Sequence, residues 1–194
     1  MGAHLDEPRE ESIRCFLARA LSPERLAHSL AVAETAAGLA ERYGADPRAA
    51  RIAGLLHDCA RELPPFELLR QAADRGLAVD EIERREPLLL HGAVGAAMAG
   101  GRFALDGDAL AAIAHHITGA PGMGLLARIV FLADFIEPGR THARAGAARA
   151  ALAAGLAPAL LTAYDGVIAY VLEEGYLLHP RTVAARNELL FDRD

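Results

Sequence analysis

Apolar residues recur along most of the chain at intervals of three and four positions, which is the spacing of one face of an α-helix. The clearest such segment follows Ser22 and Pro23, an N-cap residue and a first-turn proline, and it ends at Gly44. Asp46 and Pro47 repeat the same start signal for the next helix. The pattern therefore predicts a series of consecutive helices.

The later apolar segments predict further helices, separated by proline and glycine. A helix is expected over residues 65–75, and Pro87 interrupts the acidic segment that follows it. Residues 144–175 are predicted to form either one long helix or a helix broken around Gly155 and Pro158. Val, Ile and Thr are sparse, so the β signal is weak. We predict an all-α helical bundle of seven to ten helices.

Length and composition give no sign that this helical chain contains more than one domain. Its 194 residues are enough for a single domain with a sizeable core, and no linker or repeat interrupts them. We expect an N-terminal helix or extension over residues 1–21 and the main domain over residues 22–194. The Ala- and Leu-rich helix faces are also compatible with a homodimer.

Charge and hydropathy exclude several classes of partner. The net charge is −6, so we predict no basic surface for nucleic acid. The longest uncharged runs are shorter than the roughly 18 apolar residues that a membrane span needs, so no membrane association is expected. The N-terminal segment carries several acids and does not read as a signal peptide. A cytoplasmic protein is the simplest interpretation.

Several predicted helices carry a polar side chain on an otherwise apolar surface. These residues are His28, His57, Asp58, His91, His116 and Asp134. Each one alone has an ordinary structural explanation, such as a hydrogen-bonded core histidine or a pairing of Asp134 with Arg128. Together they must converge or find separate partners, because an unpaired buried charge is very costly. A bound metal would satisfy all of them at once, and this donor set suits Fe, Mn, Zn or Co.

The adjacent His57 and Asp58 add a detail to this hypothesis. Neighbouring residues on a helix diverge by about 100°, but the backbone can relax at a helix end, so both side chains can reach one centre. A carboxylate also has a second oxygen for a second metal. The pair therefore fits a two-metal site.

The order of these residues resembles the H…HD…D signature of the HD-domain metal-dependent phosphohydrolases. The flanking words "LLHDCARELP", "HHITG" and "IVFLADFIEPGR" narrow the resemblance to the YqeK-type family, the bacterial symmetrical bis(5′-nucleosyl)-tetraphosphatases. The similarity runs from about residue 28 to residue 187. It implies a helical HD-domain fold and hydrolysis of a dinucleoside polyphosphate, diadenosine tetraphosphate, into two ADP by metal-activated water.

The resemblance also implies two metal ions per chain, expected to be Fe, with Mn, Co or Mg as alternatives. His28, His57, Asp58 and Asp134 would hold the first metal. His91, His116 and the bridging Asp58 would hold the second. His116 is preferred to His115 as a ligand because it occupies the histidine of the family's HxTG word.

Catalytic and substrate-binding roles complete the expectation. Asp58 and Arg61 are the predicted catalytic residues. The predicted substrate contacts are Arg61, His115, Thr118, Gly119 and Arg140. Two positions depart from the family pattern, because Arg61 stands where Lys is usual and Ile117 stands where Thr is usual. An HD phosphohydrolase of another nucleotide, and a catalytically weak nucleotide-binding regulatory module, remain the alternatives.

Overall fold

The computed structural model describes residues 7–191, which form eleven α-helices and one 3₁₀ helix, with no strand in that range. The α-helices are α1 (Glu7–Ala20), α2 (Pro23–Tyr43), α3 (Pro47–Leu56), α4 (Pro65–Asp74), α5 (Glu81–Arg85), α6 (His91–Phe103), α7 (Gly107–His115), α8 (Leu125–Ile136), α9 (Ala143–Ala151), α10 (Leu156–Glu173) and α11 (Pro180–Phe191). The 3₁₀ helix, Pro87–Leu90, precedes α6 directly. The all-α prediction is confirmed.

The helix ends lie where the capping signals predicted them. The Ser22 side chain accepts a hydrogen bond from the Arg25 N–H, and Asp46 does the same for Arg48 at the start of α3. Gly44 ends α2 in the left-handed conformation, with φ of 80°, which glycine adopts without a steric penalty. Residues next to each helix end therefore determine where α2 begins and ends and where α3 begins.

The segment after residue 143 forms two helices, so seven to ten was too low a number. Gly155 separates α9 from α10 and has a φ of 123°, which a residue with a Cβ rarely adopts. Pro158 lies in the first turn of α10, where its missing N–H needs no helical partner. The break is therefore caused by the glycine and not by the proline.

The core lies where α2 packs on α3 and α8, and where α3 packs on α7 and α8. Gly54 allows α3 to approach α2 closely, because a Cβ built there would lie 2.8 Å from the Ala33 Cα. Helix α1 contributes to the same core through Ile13 and Leu17, which are fully buried. The proposed division at residue 21 stays a prediction.

Helix α10 packs against α9 and α11 at the edge of this core. Among the described residues, it is the one helix long and apolar enough to cross a membrane, with a mean hydropathy of 1.3 over 18 residues. A single helix of this kind is weak evidence, since core helices of soluble proteins also meet the criterion. Its importance here is that its C-terminal half borders the candidate site.

Candidate metal centre

Six polar side chains meet where α2, α3, α6, α7 and α8 come together. They are His28 of α2, His57 and Asp58 directly after α3, His91 at the start of α6, His116 directly after α7, and Asp134 of α8. We call them the central cluster. Within it, three groups of three residues have ligand atoms that all lie within 4.8 Å of one another. The structure thus brings together every residue that the sequence singled out as a metal ligand.

Each histidine of the central cluster is oriented by a bond at Nδ1. The Nδ1 atoms of His57, His91 and His116 lie 2.7, 2.5 and 2.8 Å from the backbone carbonyl oxygen three residues earlier. The Nδ1 of His28 lies 3.1 Å from an Oε1 of Glu137. Because these partners are acceptors, Nδ1 carries the proton and the lone pair is on Nε2. In the neutral form of each ring, the nitrogen that faces the cluster is therefore Nε2 with its lone pair, as in metal-binding histidines.

The Nε2 atoms of His28 and His57 are buried without a hydrogen-bond partner. The Nε2 of His28 lies 3.0 Å from a carboxylate oxygen of Asp134, but the two groups are not aligned as donor and acceptor. Buried polar atoms in native proteins nearly always have a partner. Lone pairs and carboxylate oxygens that face one another in this way fit a cation between them.

Asp58 lies between the two groups of histidines. Its Oδ1 is 3.1 Å from the Nε2 of His91 and 3.5 Å from that of His116. Its Oδ2 is 3.5 Å from the Nε2 of His57 and 3.9 Å from that of His28. One oxygen therefore faces each group, which is the arrangement required of a bridging ligand.

The electrostatics of the central cluster favour ionised carboxylates. Burial alone would raise the pKa values of Asp58 and Asp134, but the surrounding histidines, and Arg140 for Asp134, hold both well below their usual range. Burial also opposes charge on His57, yet the neighbouring carboxylates raise its pKa to about 9. Burial and His116 lower the pKa of His91 to about 4. Two ionised carboxylates, Asp58 and Asp134, therefore face the space between the histidines.

Cys59, next to Asp58, is not part of this donor set. Burial raises the pKa of its thiol to about 12, so the group stays neutral, whereas a thiol binds a metal as the thiolate. Its sulfur lies 3.5 Å from the Gly95 carbonyl oxygen, to which it donates. The donors are therefore nitrogen and oxygen only.

Two further side chains, Arg25 and Glu137, contact the central cluster. The sequence analysis did not place either of them there. The guanidinium of Arg25 lies 3.0 Å from Asp58 Oδ2, and its place one turn before His28 on α2 was the available signal. Glu137, directly after α8, accepts from the Nδ1–H of His28. Its Oε1 also lies 3.9 Å from Arg140.

The predicted arginine contacts occupy different surroundings. Arg140 donates to Asp134 Oδ1 at 2.9 Å, whereas Arg128, considered as a partner of Asp134, pairs with Glu188 at 2.8 Å. Arg61 is half-buried beside the central cluster, and within residues 7–191 the structure gives its guanidinium no ion pair. Burial lowers the pKa of Arg61. Asp58 and Asp134 attract its charge from a distance, but among the described residues neither forms an ion pair with it.

A cavity of about 490 Å³ opens onto the central cluster. Asp58, Arg61, Thr118 and Asp134 belong to its lining. The described residues that line it do not include His115, Gly119 or Arg140. The structure therefore places two of the five predicted substrate contacts, Arg61 and Thr118, on the cavity wall.

His115 and Gly119 have other surroundings. The Nδ1 of His115 is buried without a hydrogen-bond partner, and burial together with Arg181 lowers its pKa. Gly119 follows α7 with a φ of 64°, and a Cβ built on it would collide with the Tyr164 hydroxyl. A glycine is thus required at position 119 by the turn and by packing.

A second polar cluster borders the same cavity and was missed in the sequence. It consists of Asp80, Glu83, His179 and Arg181, and we call it the latch cluster. His179 Nε2 lies 2.9 Å from Asp80 Oδ2, and Arg181 donates to Glu83 at 3.1 Å. These bonds join the start of α5 to the start of α11, across about a hundred residues of sequence. No local pattern could have indicated that pairing.

Comparisons with known proteins cover the part of the chain that holds the central cluster. The model of the HD domain family matches residues 25–139, a range that includes all six residues of the central cluster. A Bacillus subtilis protein named "Bis(5'-nucleosyl)-tetraphosphatase, symmetrical" is 32% identical over 94% of this chain and 97% of its own. A protein of the same name from Halalkalibacterium halodurans is 34% identical over 89% of this chain and 92% of its own.

A solved structure extends the agreement to the fold. It is described as a predicted HD superfamily hydrolase involved in NAD metabolism from Clostridium acetobutylicum, and it is 38% identical. The match covers 95% of this chain and 98% of that one, with a TM-score of 0.91. The helical HD-domain fold expected from the sequence is thereby confirmed. The chain belongs to the HD-domain family, and its relatives there include proteins named symmetrical bis(5′-nucleosyl)-tetraphosphatase.

Proposed function

We propose that this chain is a metal-dependent hydrolase that cleaves diadenosine tetraphosphate symmetrically into two ADP. The relatives from B. subtilis and H. halodurans carry the name of that activity, and the match covers most of each chain. The observation that carries the proposal in this chain is Asp58, whose two oxygens face two separate groups of histidine Nε2 atoms. A site of that shape suits phosphoanhydride hydrolysis with two metal ions.

The ligand sets of the proposal follow the division at Asp58. The first metal would be held by His28, His57, Asp58 and Asp134, and the second by Asp58, His91 and His116. Metal ions bound there would polarise the phosphate and supply an activated water at neutral pH. Iron is the proposed occupant, because histidine together with carboxylate suits a transition metal better than Mg. Mn, Co and Mg are the alternatives.

Arg61 is proposed as a contact of the phosphate chain. Its guanidinium lines the cavity beside the central cluster and lacks a counter-ion among the described residues. A phosphate is the natural partner for such a group, since a guanidinium binds two phosphate oxygens at once. Because positive charge stabilises the transition state of phosphoryl transfer, Arg61 would lower the barrier as well as hold the substrate.

Thr118 and Arg140, two further proposed substrate contacts, already bond to other groups of the protein. Thr118 lines the cavity, although its hydroxyl donates to the Gly119 carbonyl at 2.9 Å. Arg140 acts through Asp134, with which it forms an ion pair. The proposed partner is therefore a dinucleoside polyphosphate, bound through its phosphates, and the proposed location of the enzyme is the cytoplasm.

The test is to incubate the purified, metal-analysed protein with diadenosine tetraphosphate and to separate the products by ion-exchange chromatography. We expect ADP as the sole nucleotide product, with about two metals per chain. AMP together with ATP would contradict symmetrical cleavage. Asp58→Ala is expected to be inactive, whereas Asp74→Ala, a change at an exposed position on α4 that pairs with Arg70, is expected to behave as the wild type.

A further inference from the structure

The cavity that opens onto the central cluster has a second, apolar wall. It is formed by the C-terminal half of α10 and by the segment that leads to α11. Its residues are Val167, Tyr170, Val171, Tyr176 and Leu177, and we call them the aromatic wall. The central cluster and Arg61 are charged, so the cavity offers two chemically different environments to one ligand.

Folding leaves large side chains of the aromatic wall uncovered. Tyr170 is 47% exposed, Tyr176 is 52% exposed and Leu177 is 43% exposed. The two tyrosine rings meet edge to face, with centroids 6.2 Å apart and planes at 60°. In an edge-to-face pair each ring keeps at least one face that the other does not cover, so a third flat ring can stack there. Apolar area of this kind inside a cavity is typical of a ligand site.

The aromatic wall is held in place at its α10 end by a helix-ending turn. Gly175 has a φ of 70°, and the chain reverses there so that the Tyr176 N–H donates to the Val171 carbonyl at 3.0 Å. This bond fixes Tyr176 beside the last turn of α10, next to Tyr170. The two rings are therefore positioned by backbone hydrogen bonding.

The latch cluster fixes the other end of the wall. His179 bonds Asp80 at 2.9 Å, and its Nδ1 accepts from the Arg181 N–H at 3.1 Å. Both ring nitrogens of His179 therefore have partners, although the residue lines the cavity. What this end of the cavity offers a ligand is packing surface and not a free imidazole. A pre-positioned surface of this kind binds a flat ring without a large ordering cost.

We propose that the aromatic wall holds one nucleoside of the dinucleoside tetraphosphate while the phosphate chain reaches Arg61 and the central cluster. The inference rests on the proposed function, since it names the part of that substrate bound at this wall. Stacking on aromatic side chains suits any nucleobase, because every base has a π-face. The cavity of about 490 Å³ is within the usual size range of small-molecule sites.

The experiment measures how strongly the metal-loaded protein binds ADP and inorganic pyrophosphate, by titration calorimetry. Both ligands carry a diphosphate, and only ADP carries a nucleoside. Tyr170→Ala and Tyr176→Ala are each expected to weaken ADP binding about fivefold or more, which is the range for loss of one stacking partner. Pyrophosphate binding is expected to change less than twofold. Tyr170→Phe keeps the ring and is expected to restore most of the ADP affinity.

Phe66→Ala serves as the matched control, because Phe66 is a 70% exposed aromatic residue on α4 that is not in the cavity lining. It is expected to bind both ligands as the wild type does. Equal ADP affinity in the wild type and in both tyrosine variants would overturn the inference, as would an equal loss for ADP and pyrophosphate. Wild-type protein that releases no ADP from diadenosine tetraphosphate would instead refute the proposed function.

Discussion

Two clusters of histidine and carboxylate border one cavity, and they are bonded in different ways. Both the central cluster and the histidine–carboxylate part of the latch cluster bring three or more potential ligand atoms within 4.8 Å of one another. By distance alone, each could hold a metal ion. The difference lies in where the lone pairs and the donors are directed.

The latch cluster satisfies its own polar atoms. Asp80 Oδ1 caps α5 by accepting from two backbone N–H groups, and its Oδ2 receives His179. Glu83 accepts from the Asp80 N–H at 2.9 Å and from Arg181 at 3.1 Å. The cation that these carboxylates need is already present as a side chain. The latch cluster is therefore explained as a structural connection between α5 and α11.

The central cluster leaves histidine nitrogens without partners, although Arg25 and Arg140 donate to its carboxylates. Two histidine Nε2 atoms are buried without a hydrogen bond, and every Nδ1 is already committed to an acceptor. Buried groups in this state are unfavourable unless something else binds them. The comparison teaches that hydrogen-bond direction, and not the mere proximity of His, Asp and Glu, separates a metal site from an internal ion-pair network.

The largest contrast is expected between Asp58→Asn and Asp80→Asn. The first removes the charge that faces both histidine groups, so hydrolysis of diadenosine tetraphosphate should fall by about 10³-fold or more, which is about 4 kcal/mol. The second disturbs a helix cap and the aromatic wall, so the loss in kcat/KM should be at most about tenfold. Steady-state kinetics and metal analysis of both variants make the comparison. Metal loss from Asp80→Asn would place a metal in the latch cluster.

Removal of the metal is expected to lower Tm only when the central cluster is intact, whatever the state of the latch cluster. A ligand present at 100 times its Kd stabilises the native state by about 2.7 kcal/mol. For a chain of this size that corresponds to a fall in Tm of about 5–10 °C when a chelator strips the metal. Differential scanning calorimetry should give the same fall in the wild type and in His179→Ala. In His57→Ala the fall should be much smaller, and an undiminished fall there would mean that the metal binds elsewhere.

Much of the central cluster could be predicted because its residues break a local pattern. His28, His57 and Asp134 are conspicuous as polar positions on apolar helical faces, and the structure brings them together. The same logic located the starts of α2 and α3, whose capping residues are adjacent in sequence. Capping residues and polar positions on an apolar face are defined by residues within one or two helical turns, so they can be recognised in a single sequence.

The parts that escaped prediction depend on contacts between distant segments. Asp80 and His179 are 99 residues apart, and neither lies in a stretch that predicts the other. The bond between Glu137 and His28 spans 109 residues, so the sequence around Glu137 does not indicate it. Gly119 was predicted to touch the substrate, whereas its neighbour in space is Tyr164 of α10. Such pairings follow from the packing of helices, which local spacing does not encode.

Glu137→Gln and Glu83→Gln sharpen the contrast at the level of orientation. Glu137 holds the ring of His28, and loss of a partner that orients a metal-binding histidine typically weakens metal affinity 10- to 100-fold. Glu83 touches no residue of the central cluster in the described contacts, so its substitution should lower Tm and leave metal affinity within about twofold. Competition with a chromogenic chelator measures both variants. Equal metal affinities in the two would show that Glu137 does not position His28.

The smallest expected change in Tm concerns Arg61 and Arg181, and the sign of that change distinguishes the two residues. Arg181 pairs with Glu83, so Arg181→Met should lower Tm by about 1–3 °C. Arg61 is half-buried, its pKa is lowered by burial, and it has no ion pair among residues 7–191. Its charge therefore costs stability in the metal-free protein, and Arg61→Met should raise Tm by a similar amount while kcat/KM for diadenosine tetraphosphate falls about 10- to 100-fold. Opposed changes of this kind are typical of residues kept for activity. Thermal melts of the metal-free variants measure these changes. Arg51→Met is the control, because Arg51 forms an ion pair with Glu34 on the surface. A Tm lowered by Arg61→Met would mean that Arg61 stabilises the fold.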